Sequence, residues 1–119
     1  MRIIYVEDND SNIALLERVV RQTGDTLTTF TTVEEAAHDI HPHDADLIFT
    51  DLDFGTGMNG LDLIEILRGR GITIPIVAVS AYDLPDYKHR AESVGNDAFV
   101  VKPVSVPLLI DLINTYRPA

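Results

Sequence analysis

Four short apolar runs in this chain each end in a reactive polar group. Ile3-Ile4-Tyr5-Val6 leads into Glu7-Asp8, Leu47-Ile48-Phe49-Thr50 into Asp51, Ile76-Val77-Ala78-Val79 into Ser80, and Phe99-Val100-Val101 into Lys102. Asp53, two residues past Asp51, brings the acids to four. Carboxylates brought together raise one another's pKa and oppose folding unless a cation compensates them. Oxygen ligands without an imidazole suit a hard divalent cation, Mg2+ rather than zinc. Lys102 offers a fixed positive charge for a phosphate, and Ser80 offers a hydrogen-bond donor. An aspartate can itself be the nucleophile and become an aspartyl-phosphate. The chemistry these residue types support is magnesium-dependent handling of a phosphoryl group.

These groups meet only if the four runs are parallel strands of one open sheet, whose carboxyl edge is where such folds bind ligands. Strand-like runs alternate with helix-like stretches five times, the pattern of a parallel sheet covered on both faces. Residues 3–6 are continuously apolar, as a strand buried on both faces should be. Asp10 or Ser11 is expected to cap a first helix carrying Ile13, Leu16 and Val20 at helical spacing, with Gly24 closing it. Residues 26–30 are rich in threonine, which suits an edge strand.

Thr32 starts a second helix through Ala36, Ala37 and Ile40, and the loop His41-Pro42-His43-Asp44 reads as a polar connection rather than a metal site. The third strand, residues 47–50, runs into Asp51. After a glycine-rich loop, Asn59 caps a helix with Leu61, Ile64 and Leu67 on one face. The fourth strand opens at Pro75, where no ladder donor is needed. A polar helix over about 85–94 stops at Gly95, a fifth strand covers 98–101, and Ser105 caps a last helix. The polar second strand beside a buried first one predicts the order 2-1-3-4-5, with a crevice between the first and third strands. The predicted fold is therefore α/β: a flavodoxin-like (βα)5 three-layer sandwich around a five-stranded parallel sheet.

At 119 residues the chain fits one domain, 1–119. A net charge of −10 with nine scattered Lys and Arg leaves no basic stripe for direct nucleic-acid binding. The absence of cysteine excludes disulfides, thiolate catalysis and zinc–cysteine sites. No apolar run approaches the ~20 residues that span a bilayer, so no membrane insertion and a cytoplasmic location are expected. Gly55-Thr56-Gly57 lacks the downstream Gly-Lys-Ser/Thr of a nucleotide-binding loop.

Val6-Glu7-Asp8-Asn9, Asp51, Val79-Ser80-Ala81 and Val101-Lys102-Pro103 stand in the order and spacing of the motifs of CheY-like receiver domains of two-component response regulators. The resemblance covers essentially the whole chain, and the Val-Glu-Asp-Asn opening followed by Asn12 is most similar to single-domain receivers of the DivK type. It implies a stand-alone receiver without an output domain, not an enzyme beyond self-phosphorylation and autodephosphorylation. In the roles it implies, Asp51 accepts a phosphoryl group from a sensor histidine kinase or a histidine phosphotransfer protein. Asp8 binds Mg2+ directly, Glu7 through water, and Asp53 through its backbone carbonyl. Lys102 and Ser80 hold phosphoryl oxygens, Ser80 moves inward with its loop, and Phe99 stands at the switch-aromatic position. A cis peptide joins Lys102 to Pro103. The result is phosphorylation-dependent protein binding or phosphate relay, by a monomer or weak homodimer.

Three positions depart from the family pattern. Glu7 replaces the commoner aspartate, and the loop from Asp51 to Gly60 is one residue longer and carries Phe54-Gly55-Thr56-Gly57 in place of Met-Pro. Asp53, with Tyr82, occupies a position that tunes aspartyl-phosphate hydrolysis in the family. Three other functions share features with the chain. A haloacid-dehalogenase-type phosphatase also uses Asp-x-Asp, but on its first strand and with its acid pair last. A flavodoxin-like flavin carrier shares the strand order, yet an acidic edge repels the flavin phosphate. A phosphorylation-independent receiver-like module would not need the intact acids, serine and lysine.

Overall fold

Continuous apolar runs need cover on both faces, and the folded chain provides it. The computed structural model describes residues 1–54 and 57–119. Its elements alternate as β1 (Arg2–Val6), α1 (Asp10–Thr23), β2 (Thr26–Phe30), α2 (Val33–Asp39), β3 (Leu47–Asp51), α3 (Gly60–Gly69), β4 (Ile76–Ser80), α4 (Pro85–Val94), β5 (Ala98–Val101) and α5 (Val106–Thr115). The strands form one parallel sheet in the order β2-β1-β3-β4-β5, as expected from the polarity of the second strand. Residues of β3 and β4 are buried throughout, whereas β2 at the edge is largely exposed or half-buried.

Side chains alternate across the sheet and feed two separate cores. Ile4, Val6, Ile48, Ile76 and Ala78 pack with Ala36, Leu61, Ile64, Leu67 and Ala91 under α2, α3 and α4. Ile3, Tyr5, Leu47, Phe49, Val77 and Val79 pack with Leu16, Val20, Leu109 and Ile113 under α1 and α5. None of the described helices is long and apolar enough to cross a membrane.

The helix starts follow from side-chain caps. Thr32 accepts from the Glu35 N–H, Ser105 from the Leu108 N–H, and Asn59 and Asp62 form a reciprocal capping box at α3. At α1 the cap is Asn9 rather than Asp10 or Ser11: its extended backbone lets its side chain accept from the Asn12 N–H. Asp10 instead sits in the first turn, where the helix dipole favours a negative charge. Gly95 ends α4 at φ 105°, a left-handed conformation that glycine adopts without a Cβ clash. The fourth strand begins at Ile76, one residue after the expected start, because Pro75 contributes its carbonyl to Ile48 N–H (2.9 Å) but has no N–H to give. In the loop 41–44, the Asp44 carboxylate accepts from the His41 N–H, which accounts for that acid locally.

Candidate functional site

Parallel strands with matched registers bring their carboxyl ends to one edge. Val6 pairs with Thr50, and Asp51 pairs with Val79, so Glu7-Asp8, Asp51 and Ser80 emerge side by side. Carboxylate oxygens of Glu7, Asp8 and Asp51 lie within 4.8 Å of one another. Asp8 is exposed, while Glu7 is 1 % and Asp51 2 % accessible. Three oxygen donors around one point, without nitrogen or sulfur, match the ligand chemistry of a hard divalent cation.

Lys102, at the end of β5, reaches back over this cluster. Its Nζ is 3.2 Å from Glu7 Oε2 and 3.3 Å from Asp51 Oδ1. Its own backbone N–H is fixed by the Ser80 carbonyl at 2.8 Å, and a cis peptide joins it to Pro103. Burial works to lower the Lys102 pKa, but the carboxylates of Asp51 and Glu7 outweigh it and raise it, so the amine stays charged. Burial, reinforced by the charge on Glu7, pushes the Asp51 carboxyl up to about 6 despite Lys102 beside it. The carboxylates are thus under-compensated by one lysine, and a cation at this cluster would relieve them.

Of the four acids, three converge; the carboxylate of Asp53 turns elsewhere. Its Oδ2 accepts from Ser80 Oγ (3.3 Å) and from the Ala81 N–H (2.9 Å), while its backbone N–H donates to Asp51 Oδ1 (3.3 Å). The Ser80 hydroxyl oxygen in turn accepts the Tyr82 N–H at 3.0 Å. Tyr82 is exposed and stacks on Tyr87 of α4, with ring centroids 6.0 Å apart. Phe99 is half-buried and packs against the core beneath α2, α3 and α4. Of the lengthened loop, Gly55 and Thr56 lie outside the described residues; Gly57 has φ 80°, and the Met58 N–H donates to Glu34 Oε1 at 3.1 Å.

The connection after β3 is held by a close approach. A Cβ on Gly60 would stand 2.1 Å from the Asp51 carbonyl oxygen and 2.9 Å from Leu52 Cα. Those are backbone atoms of the strand end that carries Asp51, and they cannot swing aside. Gly60→Ala is expected to cost about 2 kcal/mol of stability by overpacking. It should also weaken magnesium-induced stabilisation, because the strain falls on Asp51; denaturant unfolding with and without magnesium reads both. Unchanged unfolding would mean that the loop absorbs the methyl group.

Tyr5 has a part in the site that its place in an apolar run concealed. Its hydroxyl donates to Glu7 Oε2 at 3.1 Å, and its ring packs edge-on against Phe49 at 6.3 Å. The signal was present: residues two apart in a strand share a face, so Tyr5 and Glu7 had to point the same way. Burial, with the charges of Glu7 and Asp51, raises the Tyr5 pKa and keeps its hydroxyl a donor.

Comparison with known proteins places these motifs in a wider set. The family profile described as the response regulator receiver domain matches residues 3–114. The chain is 30 % identical over 119 residues to the polar-differentiation response regulator DivK of Brucella ovis, covering 96 % of this chain and 94 % of DivK. It is also 30 % identical over 118 residues to the sensory/regulatory protein RpfC of Xanthomonas campestris pv. campestris, covering 95 % of this chain but only 16 % of that much longer protein. Among solved structures, the receiver domain of the sensor histidine kinase PA1611 from Pseudomonas aeruginosa superposes with a TM-score of 0.84 at 22 % identity, covering 97 % of this chain and 95 % of that one. That structure has a magnesium ion coordinated in its active-site cleft.

Proposed function

Because this chain belongs to the response regulator receiver domain family, the receivers of two-component systems, we propose that Asp51 is its phosphoacceptor. The observation that carries this reading is the buried Asp51 carboxylate, grouped with Glu7 and Asp8 and 3.3 Å from Lys102 Nζ. In the transfer, an Asp51 carboxylate oxygen attacks phosphorus on a phosphohistidine of a sensor kinase or phosphotransfer protein. An O–P bond forms, the P–N bond breaks, and the imidazole leaves, with its proton balance made up from water. Lys102 and the Ser80 hydroxyl take the phosphoryl oxygens, and Lys102 neutralises part of the incoming charge.

Asp8 would hold a magnesium ion directly, Glu7 through a water, and Asp51 with a carboxylate oxygen, with the Asp53 backbone carbonyl completing the protein's ligands. Bound there, magnesium supplies the positive charge that lets carboxylates and phosphate share one small volume. The magnesium in the receiver of PA1611 supports that choice of ion. Phe99, half-buried and packed against the core beneath α2, α3 and α4, is assigned the switch position. The reading extends to residues 1–119 as one receiver domain in the cytoplasm, acting as a monomer or weak homodimer. Its output is phosphorylation-dependent binding of another protein or onward relay, and its only catalysis is on its own aspartate. A haloacid-dehalogenase-type phosphatase gains no support, since Asp51-Leu52-Asp53 follows the third strand and not the first.

Incubation with magnesium and acetyl phosphate, followed by intact-mass analysis, tests the assignment. The expected result is one added phosphoryl group, labile to alkali and hydroxylamine, and absent from Asp51→Asn. A label that survives that substitution, or steady turnover of small phosphate esters, would overturn it.

A further inference from the structure

We propose that Tyr5 is a positioning residue that holds Glu7 in place when Lys102 moves its charge to the phosphoryl group on Asp51. The inference rests on Asp51 being the phosphoacceptor and adds a residue that the motifs do not include. Glu7 is a carboxylate almost sealed from water, and its direct partners are few. Oε1 accepts the Asn9 N–H at 3.1 Å, and Oε2 accepts both the Tyr5 hydroxyl at 3.1 Å and Lys102 Nζ at 3.2 Å. Lys102 is therefore shared between Glu7 and Asp51 before any phosphate arrives.

A phosphoryl group on Asp51 draws the lysine toward its oxygens. Without Tyr5, that movement would strip Oε2 of its direct donors and leave a buried charge half-satisfied, which opposes the movement. With Tyr5 in place, Oε2 keeps a hydrogen bond throughout. The tyrosine is itself built to stay: it is 6 % exposed, is paired in register with Phe49 across β1 and β3, and lies edge-on to that ring. Its hydroxyl is thus presented from a rigid strand, not a loop.

Tyr5→Phe deletes the hydroxyl and keeps the ring. Hydrogen bonds to charged groups are worth enough to change a rate about tenfold when lost from one state only. The expected result is an Asp51 labelling rate by acetyl phosphate about tenfold lower at saturating magnesium, with the half-saturating magnesium concentration changed less than about twofold. In a Glu7→Gln background, where residue 7 no longer carries a charge that competes for Lys102, the same substitution should change the rate by less than about twofold. A tenfold loss that persists in Glu7→Gln would mean that Tyr5 acts by packing alone, and equal rates in wild type and Tyr5→Phe would overturn the proposal outright. If wild type itself takes no label, Asp51 is not the acceptor and both readings fall. An independent measurement needs no variant: on loading wild type with beryllofluoride and magnesium, the Tyr5 hydroxyl proton should stay hydrogen-bonded and slow to exchange by NMR. Its loss to fast exchange on loading would equally refute the role.

Discussion

Asp51→Asn is expected to stabilise the magnesium-free protein by about 3 kcal/mol at neutral pH while abolishing phosphorylation. The free-chain carboxyl titrates near 3.9, whereas burial and Glu7 push it to about 6 in the folded chain. The folded state thus binds the proton more tightly than the unfolded state, and ionising Asp51 in place works against folding. At about 1.4 kcal/mol for each pH unit between the two values, the penalty reaches that size. It is fully present above about pH 6 and disappears as the pH falls to about 4. Asparagine keeps an oxygen for the Asp53 N–H and carries no charge. A rise of roughly 10 °C in melting temperature should accompany the gain, shrinking in acid. Millimolar magnesium should raise the melting temperature of wild type, because under the proposed assignment it would bind the assembled site and not the unfolded chain, and should narrow the gap to Asp51→Asn. Identical melting of the two proteins at pH 7 without magnesium would contradict the electrostatics described for the cluster.

Lys102→Met should have the opposite sign and a comparable size. The amine is the cation in contact with both Glu7 and Asp51, and its removal leaves two buried carboxylates facing each other. Breaking a buried charge group by deleting one partner costs about 3 kcal/mol. Magnesium should then restore more stability to Lys102→Met than it adds to wild type, since it relieves a larger repulsion. It should not restore efficient labelling, because in the proposed transfer Lys102 takes the phosphoryl oxygens. Urea unfolding with and without magnesium, beside a labelling time course, separates the two functions of the side chain. Wild-type stability in the variant would mean that the carboxylates lose their charge instead of their partner.

The parts of this molecule that were legible in the sequence are those set by short-range pattern. Strand β2 at residues 26–30, helix α4 at 85–94 and strand β5 at 98–101 have the bounds their composition indicated, because threonine, proline and glycine mark those ends locally. The convergence of Glu7, Asp8 and Asp51 followed from the strand order, since parallel strands deliver all their carboxyl ends to one edge. The Asn9 cap was misplaced by a residue or two because Asn9, Asp10 and Ser11 are all competent caps and only backbone geometry chooses among them. The destination of the Asp53 side chain was not legible at all. Ser80 is 27 residues away, and no periodicity connects a loop carboxylate to a hydroxyl on the next strand.

With Asp51 as the proposed phosphoacceptor, that carboxylate would change what phosphorylation must accomplish. The hydroxyl of Ser80 and the N–H of Ala81 already serve an anion in the resting protein. On the proposed assignment, a phosphoryl group on Asp51 would have to take the Ser80 hydroxyl from this sitting tenant rather than find it vacant. The free energy available to any such switch would then be the difference between two anions competing for one donor, not the whole affinity of either. A competitor fixed to the same chain would thus set the threshold of the proposed switch from within, through the length and charge of residue 53.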